Sequence, residues 1–507
     1  MSMLNDKKLL LRNSLSGIVQ LAITAVLTLI SVPVLISNLG LNLYGVFAVL
    51  SVVSNLSTLA DLGMDRALIV YLSKQGRSQE SNYDIMIAAG IKLLLLCIII
   101  GIGILFEHFF LIKLLAIPQE YYRESRIFYR LILVSNFFMI LGMSFASVLD
   151  ALQRVYVNSI YRLLYSLLYW GGIVLVVIHG YGLKGIGIIS VISAAIWFMF
   201  TIGGLIKYWG RISVSGLRNN AGRVFRKQIA YSSKIFSASL LSLFFEPLSK
   251  VLISNFIGLN GVALFDIALR IRGQIASLFS KAIYPLGPYI ANTPISSDLF
   301  DLVINITKKI HLLIIPVALI FMFVSKSLVY IWLGDSEDIN DLALFVSVLC
   351  GSFLLLVPST YPIYQYLYTK LLAGKTVYIQ LTNVVVNVII FLMLYKMMGI
   401  YTILMSNVIA YLCSYMLSMF YLKRYVGNIT LEYYRNIIVT ILGIGGIGLF
   451  ICWLVPFSVF DLLIYPLTLS IVYLFFVRVL SLIRLEEIQK YFSSCPNVIR
   501  FASLILK

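Results

Sequence analysis

The chain has 507 residues, 61% of them hydrophobic and only 12% charged, with a mean hydropathy of +0.98. Soluble domains run near 45–50% apolar and about 25% charged, so no water-soluble fold can hide this much apolar surface. Soluble enzymes, nucleic-acid binders and secreted disulfide scaffolds are excluded, and the net charge of +18 has to be read by side of a membrane.

Apolar runs between charged or Gly/Pro breaks predict fourteen membrane helices, over residues 14–37, 44–71, 84–106, 124–149, 156–178, 184–206, 230–257, 262–284, 306–330, 341–367, 376–395, 400–422, 436–455 and 462–483. At about 20 residues per span they use on the order of 280 residues, leaving short loops and no large domain outside the membrane. Lys7, Lys8 and Arg12 precede an apolar stretch from Leu15 to about Leu39. That stretch is too long for a signal-peptide core and lacks a small-residue cleavage site, so helix 1 is expected to be retained. Cys97, Cys350, Cys413 and Cys452 fall inside spans and Cys495 in the tail, so no disulfide is expected.

With the N-terminus placed inside, 25 Lys and Arg fall to inner segments and five to outer loops, Lys113, Arg123, Arg126, Lys184 and Lys396. The outer loop around Asp335, Glu337, Asp338 and Asp341 is purely acidic. This bias satisfies the positive-inside rule and places both termini in the cytoplasm. The most basic segment, Lys207–Lys234, carries Arg211, Arg218, Arg223, Arg226 and Lys227. It reads as an inner linker that fixes topology and touches anionic lipid. It leaves six helices before it and eight after.

A short repeat relates the two sides. Helix 1 ends Leu35-Ile36-Ser37-Asn38-Leu39-Gly40-Leu41-Asn42, and helix 7 ends Leu252-Ile253-Ser254-Asn255-Phe256-Ile257-Gly258-Leu259-Asn260. Both helices run outward, which supports parallel six-helix lobes related by an axis along the membrane normal. The expected organisation is an N-lobe over 1–207, a basic cytoplasmic linker over 208–229, a C-lobe over 230–425, and helices 13 and 14 with a cytoplasmic tail over 426–507.

Charge inside lipid is costly, so polar residues within spans should face protein or water. Residues three, four, seven and eleven apart share a helix face. Helix 1 aligns Asn13, Ser16, Gly17, Gln20, Thr24 and Ser31; helix 2 aligns Ser51, Ser54, Thr58, Asp61 and Asp65, with Arg66 at the edge. Helix 7 aligns Ser232, Ser239, Ser242, Glu246, Ser249 and Lys250; helix 8 aligns Asp266, Arg270, Gln274, Ser277 and Lys281. Four polar stripes on the first two helices of each half point to one water-filled cavity between lobes. The alternative is interhelical packing, since Ser and Thr also bond their own backbone. Counted in depth from Leu259, Lys250 can meet Asp266 and Glu246 can meet Arg270. Arg272 lies about 200° from Arg270 on the wheel, and Arg270 is taken as the inward residue. Lys281 and Arg66 have no acidic partner at their own depth apart from Asp65 beside Arg66, and unpaired cations in a wet lumen attract an anion.

Lys92, Arg162 and Arg478 lie within snorkelling reach of the inner surface, and Arg130 and Lys326 of the outer one. Gln380, Asn383 and Asn387 on helix 11 read as a packing seam, and Pro247, Pro285, Pro288, Pro316 and Pro358 as kink candidates. His108, His179 and His311 are far apart, and no metal, nucleotide or catalytic motif appears. An enzyme is not expected: the longest outer loop, Glu107–Tyr121, has no DxD pair, which argues against an oligosaccharide polymerase or glycosyltransferase.

Leu39-Gly40 with Tyr44-Gly45, Asp61-Leu62-Gly63-Met64, Leu149-Asp150-Ala151-Leu152-Gln153-Arg154 and Leu372-Ala373-Gly374-Lys375 together resemble the polysaccharide-biosynthesis transporters, the Wzx-type flippases of the multidrug/oligosaccharidyl-lipid/polysaccharide superfamily. The resemblance covers essentially the whole chain. It implies two six-helix lobes of the drug-transporter type, here with two extra C-terminal helices. It also implies alternating access and transfer of undecaprenyl-diphosphate-linked oligosaccharide, O-antigen or a similar repeat unit, across the bacterial inner membrane. On that implication Arg270, Lys281 and Arg66 hold the diphosphate, and Gln20, Thr24, Thr58, Ser242, Lys250, Asp266, Gln274 and Ser277 line the cavity. Asp61, Asp65 and Glu246 are the candidates for coupling to proton or sodium. No cofactor, metal or nucleic acid is implied; membrane lipids and the pathway's polymerase and chain-length proteins are the further partners. Lipid II flippases carry arginines in helices 1, 2 and 8, whereas helix 1 here has only Arg12, before the span. Drug antiporters usually have twelve helices and take cations, which an anion-seeking lumen suits poorly.

Overall fold

The computed structural model describes residues 2–213, 215–283, 290, 294–334, 338–370, 372–454, 457–480 and 482. In lipid every backbone N–H and C=O must be satisfied internally, and a helix does this within one segment. Among the described residues the chain is accordingly helical, with no strand. The helices are α1 (Ser2–Ser57), α2 (Met64–Gln75), α3 (Gln79–Leu105), α4 (Tyr122–Ala151), α5 (Val155–Ser166), α6 (Gly172–Ile178), α7 (Gly182–Tyr208), α8 (Leu217–Phe256) and α9 (Leu259–Ile283). They continue with α10 (Ser297–Leu333), α11 (Ile339–Gly351), α12 (Phe353–Thr369), α13 (Ala373–Met398), α14 (Thr402–Tyr425), α15 (Leu431–Leu454) and α16 (Asp461–Val479).

Among the described residues, ten segments are long and apolar enough to cross a membrane. Two of them hold two passes each. Leu15–Asp61 has 47 residues, which as one helix would reach about 70 Å against a hydrocarbon core of about 30 Å; its backbone breaks at Gly40 (φ 75, ψ 165). Gly374–Tyr425, with 52 residues, breaks at Gly399. There Asn387 Nδ2 donates to Ser406 Oγ (3.2 Å) and Ser414 Oγ to Ile379 O (3.4 Å). Numbers rise along α14 as they fall along α13, so the two form an antiparallel hairpin. α8 and α9 also fold as helices. α9 carries Asp266, Arg270, Arg272 and Lys281, a charge density that keeps it outside an apolar window. Each of the fourteen expected stretches is thus mostly helical over its described part.

Helix 2 departs from the expected continuous run over 44–71. α1 ends at Ser57, a 3₁₀ turn covers Thr58–Asp61, and Leu62 (φ 47) and Gly63 (φ 77) take left-handed backbone before α2 begins. Gly63 tolerates that conformation because it has no Cβ. The Asp61 carboxylate accepts from the backbone N–H groups of Gly63 and Asp65, both at 3.2 Å, satisfying donors that a helix start leaves unpaired.

Packing divides the chain into two compact units, Met1–Asp266 and Ile267–Lys507. In the first, α4 packs against α7, and buried apolar clusters join α2, α3, α4 and the end of α7. α8 is fastened to this unit at both ends. Gln228 Nε2 donates to Asp84 O (2.7 Å), and Asn255 Nδ2 to Leu114 O (2.7 Å). The basic linker is held against α3: Trp209 Nε1 donates to Asn82 Oδ1 (2.9 Å) and Lys227 pairs with Glu80 (3.1 Å) and Asp84 (3.2 Å). Arg211, Arg223 and Arg226 remain exposed.

In the second unit α10 is the centre. Leu312, Ile315 and Leu319 on α10 pack with Ile437 and Ile444 on α15 and with Tyr465 and Leu469 on α16. His311 is buried, its Nδ1 against Thr307 O and its Nε2 against Tyr415 Oη, both at 2.9 Å. Large apolar side chains such as Leu105, Met397 and Trp453 stay uncovered at 76%, 81% and 80% exposure, a pattern stable only where lipid is the solvent. Cys97, Cys350, Cys413 and Cys452 are free thiols.

Candidate functional site

The first polar cluster lies where the second half of α1 meets α8 and α9. Lys250 Nζ donates to Asp266 Oδ1 (2.6 Å), to Ser51 Oγ (3.1 Å) and to Ala48 O (3.4 Å), while Tyr44 Oη donates to Asp266 Oδ2 (2.8 Å). Lys250 and Asp266 are 6% and 4% exposed. The pairing follows the depth count, but burial replaces the cavity-lining place expected for both: each charge is desolvated and neutralised by the other. Gly45 explains how the elements come so close. A Cβ built there would stand 2.3 Å from the Leu259 carbonyl oxygen, so only glycine admits this contact. The Tyr44-Gly45 pair is therefore a joint, with one residue bonding Asp266 and the next making room for α9.

The second cluster surrounds Lys92. The expected snorkelling does not occur: Lys92 is 0% exposed and its Nζ lies 2.6 Å from Asp61 Oδ1 and 2.5 Å from Asp65 Oδ1. Two acids named for ion coupling thus clasp one lysine from α3. Arg66, one residue on, is exposed.

Along α9, Arg270, Gln274 and Ser277 are half-buried, and Ser277 Oγ donates to Gln274 O at 2.7 Å. Arg272 is the more buried arginine, 7% exposed; its Nη1 donates to Tyr411 Oη at 2.7 Å. Glu246 on α8 is exposed. On α1, Gln20 Nε2 donates to Thr24 Oγ1 (3.2 Å), which donates to Ser166 Oγ on α5 (3.0 Å). Thr28, Ser31 and Ser249 bond carbonyls of their own helices. The alternative reading of these stripes, packing and backbone bonding, therefore accounts for these hydroxyls. The side chains of Thr58, Ser242 and Lys281 lie outside the described residues. A cavity of ≈ 540 Å³ opens elsewhere, lined by Lys326, Tyr330, Asn340, Phe457 and Ser458, with none of the stripe residues.

Sequence reasoning gives no site role to Tyr44, Lys92 and Tyr411. For Lys92 a signal existed. It stands eight residues from the expected inner end of helix 3 at 84, and Asp65 six from that of helix 2 at 71, so the two are level within about 3 Å.

A family model described as polysaccharide biosynthesis protein matches residues 10–293. No curated protein matches the chain. Among solved structures, the chain is similar to the lipid II flippase MurJ in an inward closed conformation, with a TM-score of 0.70 and 16% identity over 92% of this chain and 98% of that one. It is similar to an inward-facing multidrug resistance MATE family transporter of the MOP superfamily, with a TM-score of 0.62 and 15% identity over 81% of this chain and 98% of that one. A MOP superfamily transporter from Pyrococcus furiosus Vc1 gives 0.54 and 14% over 83% and 96%. At these identities the likeness is one of fold.

Proposed function

The chain belongs to the polysaccharide biosynthesis protein family, and from that premise we propose that it is a flippase. Its substrate is an undecaprenyl-diphosphate-linked oligosaccharide, an O-antigen or similar repeat unit, carried from the cytoplasmic to the periplasmic leaflet by alternating access. The observation that carries this reading is the family match, because residues 10–293 include every candidate site residue from Gln20 to Lys281. The fold shared with a lipid II flippase and MATE transporters supports it. The lobes are 1–207 and 230–425, joined by the linker 208–229, with 426–507 an addition. The chain sits in the inner membrane with both termini cytoplasmic, and the excess of Lys and Arg on one set of loops supports that orientation.

Arg270, Gln274, Ser277 and Lys281 follow at intervals of four, seven and eleven along unbroken α9, so they share a face. Arg270 and Lys281, with Arg66 from α2, hold the diphosphate; guanidinium and ammonium groups match its charge. Gln20, Thr24, Thr58, Ser242, Gln274 and Ser277 meet the sugar, and the prenyl tail stays in lipid. Asp61, Asp65 and Glu246 couple transport to a proton or sodium gradient. One observation favours an O-antigen-type substrate over lipid II. Arg12, the arginine nearest helix 1, stacks on the Tyr156 ring at 3.7 Å instead of standing within the span.

The test is Arg270→Ala in cells lacking the wild-type copy, with insertion checked. Surface polysaccharide should be lost while complete lipid-linked repeat units accumulate on the cytoplasmic side. Full delivery would remove Arg270 from the anchor role, and single units accumulating outside would point to a polymerase instead.

A further inference from the structure

Lys92 stands in a polar layer between two apolar ones. Ala60, Leu96 and Leu141 belong to one buried cluster, and Met64, Ala88 and Val148 to another. Lys92 lies one turn from both Leu96 and Ala88 on α3, and Ser144 one turn from both Leu141 and Val148 on α4. Asp61 falls between Ala60 and Met64, and Asp65 one turn beyond. Three helices therefore bring their polar residues to one level.

The charges at that level do not balance. Asp61 Oδ1 and Asp65 Oδ1 lie 2.6 and 2.5 Å from the same Lys92 nitrogen, so these two oxygens are at most about 5 Å apart. Two carboxylates against one ammonium leave a net negative charge; Lys92 is fully buried and Asp65 is 9% exposed, while the Asp61 side chain, 23% exposed, also accepts from two backbone N–H groups. Asp65 Oδ2 and Ser144 Oγ are both buried without a hydrogen-bond partner. No other described ionisable group on the packed elements supplies a cation. Arg66 is exposed, Lys227 on α8 is paired with Glu80 and Asp84, and Asp150 on α4 takes both its bonds from Asn158. A like charge this close disfavours the ionisation of both carboxylates, and burial adds to the effect.

We infer that Asp61 and Asp65 form an exchangeable proton site, sharing one proton while Lys92 balances the remaining charge and Ser144 supplies a hydroxyl to the same layer. Uptake moves a proton from hydronium to a carboxylate oxygen, breaking one O–H bond and forming another, and leaves water and a neutral layer; release returns the proton and leaves the layer at minus one. The inference deepens the flippase reading, on which it rests only for the use made of the proton: it picks Asp61 and Asp65 over Glu246, and a proton over sodium.

The test is infrared spectroscopy of the purified full chain in lipid nanodiscs, following the carbonyl band of protonated carboxyl groups against pH. The wild type should lose one component of that band as pH rises, and Asp65→Asn and Asp61→Asn should each abolish that component. Both changes are isosteric and relieve the excess charge, so both variants should fold; thermal stability checks this. A titration that persists in both variants, or is absent from the wild type, overturns the inference. Stabilisation by NaCl but not KCl, with no titrating carboxyl, assigns the layer to sodium and also overturns it. A titrating pair in a chain that does not flip lipid-linked sugar leaves the site standing and removes the flippase reading; flipping without the titration does the reverse.

Discussion

Replacing Lys250 by Met keeps the stem's volume and deletes the ammonium that Asp266 faces at 2.6 Å. At an effective dielectric of about 20, two unit charges at that distance attract by about 6 kcal/mol before desolvation is counted. After the change, of the hydrogen bonds and ion pair described above, the carboxylate keeps that from Tyr44 Oη, at 2.8 Å, in a site where Asp266 is 4% exposed. Breaking a buried pair from one side costs about 3–5 kcal/mol, because the remaining charge is uncompensated. In Lys250→Met/Asp266→Asn the orphan charge is gone and Tyr44 keeps an acceptor, so the double variant should lie within about 1 kcal/mol of the wild type. Reversible unfolding in mixed detergent micelles, or steric trapping in bilayers, measures all corners of the cycle. Single variants each losing under 1 kcal/mol, with additive effects, would refute the view that this pair is desolvated and mutually dependent.

Two further predictions follow from geometry. Gly45→Ala places a methyl against backbone rather than a movable side chain, 2.3 Å from Leu259 O. α1 and α9 must separate, so the variant should lose about 1–3 kcal/mol or more, visible as reduced thermal stability, whereas Gly17→Ala, with nothing within 4 Å, should be silent. Glu107, between α3 and α4, accepts from Arg130 (2.8 Å) and Arg126 (2.5 Å). Hydrogen bonds from Arg130 first, then from Arg126, hold its carboxyl below the ordinary value of 4.5. A depressed folded value means that the stabilisation is complete above the unfolded pKa and lost as pH falls through the folded one. Wild-type stability should therefore drop on acidification below about 4.5 more steeply than that of Glu107→Gln; identical acid limbs would count against the ion cluster.

How far the site was legible depended on whether a partner lay close in depth. Lys250 and Asp266 sit on consecutive helices joined by a tight turn, and counting residues from the turn was enough to pair them. Asp65 and Lys92 obey the same arithmetic across the α2–α3 turn. Sequence alone assigns the lysine to the interface, because a long side chain can reach water from that depth; which way it turns is set by its neighbours on α2. Arg270 and Arg272 show a different limit. The wheel separates them by about 200°, yet only Tyr411 on α14, 139 residues from Arg272, identifies which guanidinium has a buried hydroxyl to meet. The Ser and Thr stripes show a third limit, since a periodic row of hydroxyls looks the same whether it faces water or its own carbonyls.

Composition and hydropathy decided by themselves that the chain lives in lipid and folds as helices, because long apolar runs in a hydrocarbon solvent satisfy their backbone polar groups within one segment. Charge counting along the loops gave the expected orientation for the same reason: it depends on where residues fall in the chain, not on what they touch. The neutralisation of Lys250, the clasp on Lys92 and the close approach at Gly45 were decided in the tertiary structure. Each depends on atoms a few ångströms apart on different helices, and no periodicity within one helix specifies which neighbour it will pack against.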